Sequence, residues 1–166
     1  MKPSFHRLCL IAILLLCCGF MDVLAKREAL SQHKDITILG LNLDSKPSEF
    51  IDKFGSDLVQ GEIAGVTQYH WNKTYLSIDV HGDEVLRISG VQAEIDGEEF
   101  FVEEESFVTL SSLFGKPSRV LYAHHGEPCH SWANGFQAFS DPASDKPTGF
   151  ALTKEPGIHG LDVIIR

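Results

Sequence analysis

The chain has 166 residues, with 14 basic and 23 acidic side chains and a net charge of −9 when the histidines are neutral. This length fits one ordinary domain, or two small halves that share a core. The negative charge argues against nucleic acid and anionic lipid as partners, because binding to phosphates requires a basic patch. A basic protein or a cation would suit this charge better.

The first 25 residues have the pattern of a secretory signal peptide. An apolar run over residues 8–21 is followed by Val23-Leu24-Ala25, the small-residue pattern that precedes a cleavage site. The run is preceded by a short basic region formed by Lys2, His6 and Arg7. It is shorter than the roughly 20 apolar residues that a membrane-spanning helix needs, so we expect no membrane span. We therefore predict a secreted or periplasmic protein, with residues 1–25 as signal peptide and 26–35 as an N-terminal tail.

Two alternatives for this segment stay open, an uncleaved anchor and a lipoprotein signal with a lipid anchor on Cys18. If residues 1–25 are removed, the basic count falls from 14 to 12 and the acidic count from 23 to 22, so the net charge becomes about −10. Cys129 is then the only cysteine, and no internal disulfide can form. The fold must rest on its hydrophobic core.

The remaining chain contains an internal repeat, which predicts a first unit at 36–90 and a second at 91–166. Landmark residues recur at a step of 57 to 61 positions: Gly40 with Gly97, Phe54-Gly55 with Phe114-Gly115, Trp71 with Trp132, and Tyr75 with Phe136. Two copies are too few for a solenoid. They favour a pseudo-symmetric pair of small α+β units.

In the first unit, Ile36 and Ile38 alternate as in a half-buried strand. A helix is predicted next, with Ser45 as its cap, Pro47 in its first turn and Gly55 at its end. Its apolar positions are Phe50, Ile51 and Phe54. Alternating patterns then predict strands over 67–71, 76–80 and 85–88, with Gly82-Asp83 as a hairpin turn.

The second unit is predicted to repeat this order, beginning with a strand over 91–95. The acidic residues 103–105 would favour a helix start through the helix dipole. The helix has an apolar stripe and ends at Gly115, with the stripe formed by Phe107, Leu110, Leu113 and Phe114. Strands are predicted over 132–139, 149–152 and 161–165. The fold class is therefore α+β, with each short helix packed on antiparallel strands.

A short helix that ends in Phe-Gly, followed by a loop, a Trp-bearing strand and a hairpin, resembles the β-lactamase-inhibitor-protein-like fold. The stretch LFGKPS, Leu113 to Ser118, looks like the helix-ending stretch of small outer-membrane lipoproteins of the SmpA/OmlA type. This resemblance implies a protein that binds other proteins and has no catalytic residues. It transfers no functional residue position by position.

The stretch YAHHGEPCHSW is the strongest candidate for a metal site. Imidazole and thiolate are ligands for zinc and copper, and here they come from His124, His125, Cys129 and His130. The corresponding loop of the first unit has no cysteine and one histidine, so the repeat itself does not require these ligands. A polar surface loop and a cysteine nucleophile remain alternatives.

The aromatic side chains offer a second candidate site, because tryptophan and tyrosine often anchor protein partners. The candidates for protein binding are Tyr69, Trp71, Tyr75, Trp132 and Phe136. The alternative is that both tryptophans are core anchors. An acidic stretch over 96–105 could add an electronegative docking surface. We predict a non-catalytic module that binds an unknown protein partner and no cofactor, with zinc or copper binding as the alternative function.

Overall fold

The computed structural model describes residues 35–122 and 127–154. The predicted signal peptide and the predicted strand over 161–165 lie outside these residues. The described residues form two helices, α1 (Pro47–Phe54) and α2 (Phe107–Phe114). They also form eleven strands: β1 (Ile36–Ile38), β2 (Val59–Ile63), β3 (Val66–Trp71), β4 (Leu76–His81), β5 (Glu84–Gly90), β6 (Gln92–Ile95), β7 (Glu98–Phe101), β8 (Arg119–Tyr122), β9 (Pro128–Ser131), β10 (Phe136–Ser140) and β11 (Pro147–Thr153).

The strands form two antiparallel sheets. The small sheet has the order β1-β6-β7, and the large sheet has the order β2-β3-β4-β5-β11-β10-β9-β8. The large sheet thus consists of two four-stranded meanders, each following one helix, which meet where β5 pairs with β11. The predicted α+β class is confirmed in this form, mostly β with two short helices. Neither helix of the described part is long and apolar enough to cross a membrane.

Helix α1 begins and ends near the predicted positions, but its cap is different. The Ser45 hydroxyl bonds to Asn42 rather than to the helix. Lys46 occupies the N-cap position, and its backbone N–H donates to the carboxylate of Glu49 at 3.1 Å. Glu49 lies in the first turn, where its charge also suits the helix dipole. Gly55, with φ +82°, ends the helix as predicted.

Helix α2 begins after the predicted acidic residues. Ser106 caps it, and its hydroxyl accepts a hydrogen bond from the backbone N–H of Thr109 at 3.2 Å. A serine side chain satisfies a free N–H of the first turn directly, so it defines the start more sharply than charge alone. Residues 103–105 precede the helix.

Both helices pack on one face of the large sheet, which we call the helix face. The ring of Phe54 in α1 lies 6.2 Å from that of Trp71, and the ring of Phe114 in α2 lies 4.9 Å from that of Phe136. The small sheet lies on the same side, since a Cβ on Gly90 would come within 2.9 Å of the Ile38 side chain. Helices, small sheet and helix face share one buried apolar cluster. The opposite surface of the large sheet is called the helix-free face below.

Four strands, β2, β7, β8 and β9, lie in segments that the sequence patterns placed in loops or in an acidic run. In β2 all five residues are exposed, and Gly61 at the centre weakens the alternation of Val59 and Ile63 with polar residues. Strand β9 is preceded by residues outside the described range and contains Pro128. The strand predicted over 132–139 starts instead at Phe136, because Trp132 to Gly135 form a tight turn closed by a Gly135 N–H to Trp132 carbonyl bond of 3.1 Å.

Candidate binding cleft

The helix-free face of the large sheet carries a row of polar side chains in its middle. The register places Asp79 beside Arg87 and Arg87 beside Thr153 on three neighbouring strands. One row further along, Gln137 lies beside Ser131. These positions alternate with the apolar residues that point to the helix face, because successive side chains of a strand point to opposite faces. The pairing register of the strands therefore brings these polar side chains together on one face.

Several polar atoms of this row are buried without a hydrogen-bond partner. They are Asp79 Oδ2, Arg87 Nε, Ser131 Oγ and Gln137 Oε1. The residues Asp79, Ser131 and Gln137 are at most 3% exposed. Nearly all buried polar groups in folded proteins are paired, and each exception calls for an explanation. In folded proteins such atoms commonly bind ordered water or a ligand group.

Arg87 is the cation at the centre of the polar row, between Asp79 and Thr153. Its Nη1 lies 3.8 Å from Asp79 Oδ2, which is too long for a hydrogen bond, and its guanidinium lies 5.6 Å from the centre of the Phe139 ring. Burial lowers the pKa of Arg87, while the charge of Asp79 opposes that shift. The guanidinium stays protonated, because its ordinary pKa lies far above neutral pH. It therefore keeps N–H groups that can bind a further acceptor.

A cleft of about 290 Å³ opens on the helix-free face beside Arg87. Its polar lining includes Arg87, Ser89 and Glu127, so it offers both signs of charge and a hydroxyl. Gly149 also lines it, and a Cβ there would be in ordinary contact with the Phe139 side chain at 3.5 Å and the Gly90 carbonyl oxygen at 4.0 Å. The other lining residues are His70, Tyr75, Gly90, Val91, Phe139, Thr148 and Phe150. Small residues on the floor and aromatic rings on the wall suit a protruding side chain or a small polar group.

Two residues from the first meander, His70 and Tyr75, lie at the rim of the cleft. The His70 Nδ1 and Ser77 Oγ atoms lie 2.6 Å apart in a hydrogen bond that fixes the imidazole ring. Tyr75 is 69% exposed and has a φ of +51°, in the left-handed region that costs an ordinary residue roughly 1–2 kcal/mol. Tyr75 adopts it in the turn between β3 and β4, and Leu39, Ala64 and Asp96 adopt positive φ in other turns.

Three of the five aromatic residues predicted to bind a partner lie in the core. Trp71 is 2% exposed, Trp132 is 1% exposed and Phe136 has no exposed surface. Such side chains offer a partner no contact area, so these three residues belong to the hydrophobic core. Tyr69 is half-buried against the Trp71 ring at 6.3 Å. Tyr75 is the member of the set that stands free at the surface.

The two tryptophans make the same hydrogen bond. The indole N–H of Trp71 donates to the carbonyl of Gly55 at 2.7 Å, and that of Trp132 donates to the carbonyl of Gly115 at 2.9 Å. Each glycine is the residue that ends the preceding helix. Each tryptophan therefore ties one meander to the end of its helix and satisfies a carbonyl that the helix leaves free.

The predicted metal ligands separate in the structure where they are described. Cys129 and His130 are neighbours on β9, so their side chains point to opposite faces of the sheet. His130 packs on the helix face against the Phe107 ring at 4.3 Å, and burial lowers its pKa. His124 and His125 lie outside the described residues. Over residues 35–122 and 127–154, no group of three or more His, Cys, Asp or Glu side chains is arranged to hold a metal ion.

Cys129 is buried on the helix-free face, with no exposed surface. Burial raises the pKa of its thiol to about 11, and the nearby positive charge of Arg87 only partly opposes this shift. A nucleophilic or metal-binding cysteine acts as the thiolate, which requires a low pKa and access. At neutral pH this thiol is therefore protonated and shielded, and it behaves as a small apolar side chain.

The raised pKa of Cys129 predicts a loss of stability at alkaline pH. Below about pH 9 the thiol is protonated in both states; between the unfolded value of 9.0 and the folded value of about 11, only the unfolded state releases the proton. Stability therefore falls over this window, by on the order of 2–3 kcal/mol when the window is complete. Urea unfolding of the wild type and of Cys129→Ala across it isolates the effect. A constant stability difference between the two proteins would contradict the assignment.

Comparison with solved structures gives a match to a DUF4309 family protein, YjgB from Bacillus subtilis subsp. subtilis str. 168. The two chains are 15% identical, the TM-score is 0.47, and the match covers 70% of this chain and 83% of that one. The predicted resemblance to the β-lactamase-inhibitor-protein-like fold and the SmpA/OmlA-type lipoproteins is wrong, since the structural match is to a different family. No protein-family model and no curated protein matches the sequence.

Sequence reasoning missed the cleft residues Arg87 and Phe139 and the neighbouring Asp79. A signal was present, because LSIDVH and EVLRISG each carry one charged residue between apolar ones in a strand pattern. Buried charges are rare unless they are paired. An acid and a base at facing positions of a predicted hairpin could therefore have indicated a polar row. The third member, Phe139, comes from the distant second meander and could not be placed beside them.

Proposed function

We propose that this chain is an exported, non-catalytic protein that binds another protein through the cleft on its helix-free face. The signal-peptide pattern of residues 1–25 supports export to a secreted or periplasmic location. One observation carries the binding role: the cleft brings the polar groups of Arg87, Ser89 and Glu127 together with the exposed Tyr75 and the Phe139 ring. A partner's polar group at Arg87 would use hydrogen-bonding capacity that the chain itself leaves free.

The rim supports a protein as the ligand. Tyr75 stands exposed beside the cleft, and tyrosine contributes a large, rigid contact area with a polar end at protein interfaces. The cleft is open and shallow compared with an enclosed small-molecule site, which suits a side chain presented by a partner. Glu127 at the cleft adds a negative charge that a basic partner residue could meet.

The chemistry of the cleft supports binding rather than catalysis. The Cys129 thiol near Arg87 is buried and its pKa is raised, so it lacks nucleophilic character. The His70 ring is bonded to Ser77. This pair is a base beside a hydroxyl, but among the described residues no carboxylate forms a hydrogen bond to the ring to orient it, as an activated serine requires.

We also propose that residues 36–90 and 91–166 are two copies of one unit. Three features support this. Each helix precedes a four-stranded meander, each helix ends at a glycine whose carbonyl accepts a tryptophan N–H, and β1 of the first unit pairs with β6 of the second. In this arrangement the cleft lies near the junction of the units, with Arg87 from one and Phe139 from the other.

Cross-linking from the cleft tests the binding role. A photoreactive phenylalanine derivative at Tyr75 is expected to capture one discrete protein in the source cells or their medium. The matched control carries the same group at Val108, which is 68% exposed on α2. Gly149→Leu fills the cleft and should reduce capture by about tenfold or more, the effect of losing about 1.4 kcal/mol of binding free energy. Gly149→Ala adds a Cβ in ordinary contact and should retain capture.

Capture at both positions alike, or capture that Gly149→Leu leaves unchanged, would refute the cleft as the binding site. Thermal unfolding of both Gly149 variants separates loss of binding from loss of folding.

A further inference from the structure

Strand β2 forms one edge of the large sheet, and its whole length is exposed. All five residues are exposed, including Val59 at 58% and Ile63 at 65%. An exposed edge strand with apolar side chains is a template for pairing with another strand, and folded proteins usually protect such edges. Each edge strand of the large sheet carries one charged residue, Glu62 in β2 and Arg119 in β8.

The backbone of β2 is oriented to accept a further strand. The two-residue turn Ala64-Gly65, with φ of +53° and +81°, joins β2 to β3. In a hairpin with a two-residue turn, the flanking pair Ile63–Val66 is hydrogen-bonded, and such pairs recur at every second residue. The backbone groups of Gln60 and Glu62 therefore point away from β3, toward an added strand.

The sequence of β2, VQGEI, is complementary to itself in an antiparallel arrangement centred on Gly61. Val59 of one copy would face Ile63 of the other, so the apolar pairs lie on one face. Gln60 would face Glu62, so an amide meets a carboxylate and no like charges face each other. The outward backbone groups of Gln60 and Glu62 would then form the hydrogen-bonded pairs. All of these pairings agree with the orientation derived above.

Gly61 would lie on the two-fold axis, where the two backbones come closest. Its pair is of the non-hydrogen-bonded type, with a Cα–Cα distance of about 4.5 Å. Glycine within a strand often marks such a close approach of another backbone. Apart from its two chain neighbours, no described residue has an atom within 4 Å of a Cβ built at this position, so packing among the described residues does not require this glycine.

We propose that this protein forms a two-fold symmetric dimer by antiparallel pairing of β2 with β2 of a second copy, in register about Gly61. The two eight-stranded sheets then join into one continuous sheet. A two-fold axis perpendicular to the sheet keeps both helix-free faces on the same side, so the dimer presents its two clefts together. Such an interface is isologous, the commonest arrangement of soluble homodimers.

Disulfide trapping tests the register. Gly61→Cys is expected to give a covalent dimer under mild oxidation, because a Cα separation of about 4.5 Å lies within the range of disulfides. The control is Gln60→Cys on the same edge. In the proposed register the two Gln60 positions are offset by two residues, so their Cα atoms lie beyond the roughly 7 Å limit for a disulfide. Cys129 is buried and will not compete. Equal trapping at both positions would overturn the proposed register.

Charge exchange tests the interface in solution by sedimentation velocity. The wild type should be dimeric, and Val59→Lys with Ile63→Lys should weaken the dimer by about tenfold or more, because like charges would face each other. Val59→Lys with Ile63→Glu should restore it, because opposite charges would then meet. Val120→Lys on the β8 edge should leave the dimer intact. A wild type that is monomeric at ~100 µM would refute the dimer, because only interfaces weaker than about −5 kcal/mol escape detection at that concentration. A Val120→Lys protein that becomes monomeric would also refute it.

Discussion

Asp79→Ala is expected to destabilise the protein by about 3–5 kcal/mol, the usual result of removing one partner from a buried ion pair. The side chains of Arg87 and Asp79 are only 14% and 5% exposed. Without Asp79, the guanidinium of Arg87 would remain in the sheet with its charge uncompensated, and the Gln68 amide would lose the carboxylate it binds at 3.0 Å. Folded domains are stable by only about 5–15 kcal/mol, so this loss is large. Urea unfolding measures it.

The double variant Asp79→Leu with Arg87→Met separates charge from packing. It removes both ions and keeps similar volumes, so its stability should be close to that of the wild type or above it, because neither charge is left buried alone. A double variant as unstable as Asp79→Ala would show that the pair holds the sheet through shape rather than charge. The same variant should lose capture of the partner by the cleft, since Arg87 lines it.

Trp132→Ala is expected to lower the free energy of unfolding by about 3–5 kcal/mol, since it empties a fully buried site in the core. The ring packs against those of Phe114 and Phe136 at 5.6 and 5.8 Å. It also donates to the carbonyl of Gly115, which would lose its partner. Trp132→Phe keeps an aromatic ring and removes the N–H, and it should cost about 1–3 kcal/mol. Thermal and denaturant unfolding of both variants measure these costs.

Trp71→Phe is the matched comparison for the proposed internal repeat. Its N–H makes the same bond to Gly55, and its ring is buried to the same extent. If the halves are copies of one unit, the two tryptophan-to-phenylalanine variants should cost similar amounts, within about 0.5 kcal/mol of each other. A Trp71→Phe protein as stable as the wild type, next to a strongly destabilised Trp132→Phe protein, would contradict equivalent roles.

Local patterns in the sequence were sufficient for the elements whose signals are local. Helix α1 has apolar residues at helical spacing and a terminal glycine, and both helices end where the Phe-Gly pairs predicted. The apolar alternation of β3, β4 and β5 also agrees with the structure. These features depend on neighbours in sequence, which is why they could be identified before the tertiary structure was known.

Edge strands and the polar row of the helix-free face could not be identified from local sequence patterns. Strand β2 has no buried residue and is held by its pairing with β3, and its central glycine leaves only a weak strand signal in the sequence. The burial of the aromatic residues could not be predicted from the sequence either. Trp71 is buried, and Tyr75, four positions later, is exposed. Burial depends on which face of the sheet the helices cover.

The sequence by itself determined the acidic character, the signal-peptide pattern, the α+β class and the absence of a disulfide framework after residue 25, because each follows from composition or from local periodicity. Only the tertiary structure decided that residues 128–131 form a strand, that Trp71 and Trp132 are core residues, and that Arg87 lies beside Phe139. These relations arise from strand register and from the pairing of β5 with β11, which joins residues more than fifty positions apart. No local pattern encodes such a pairing.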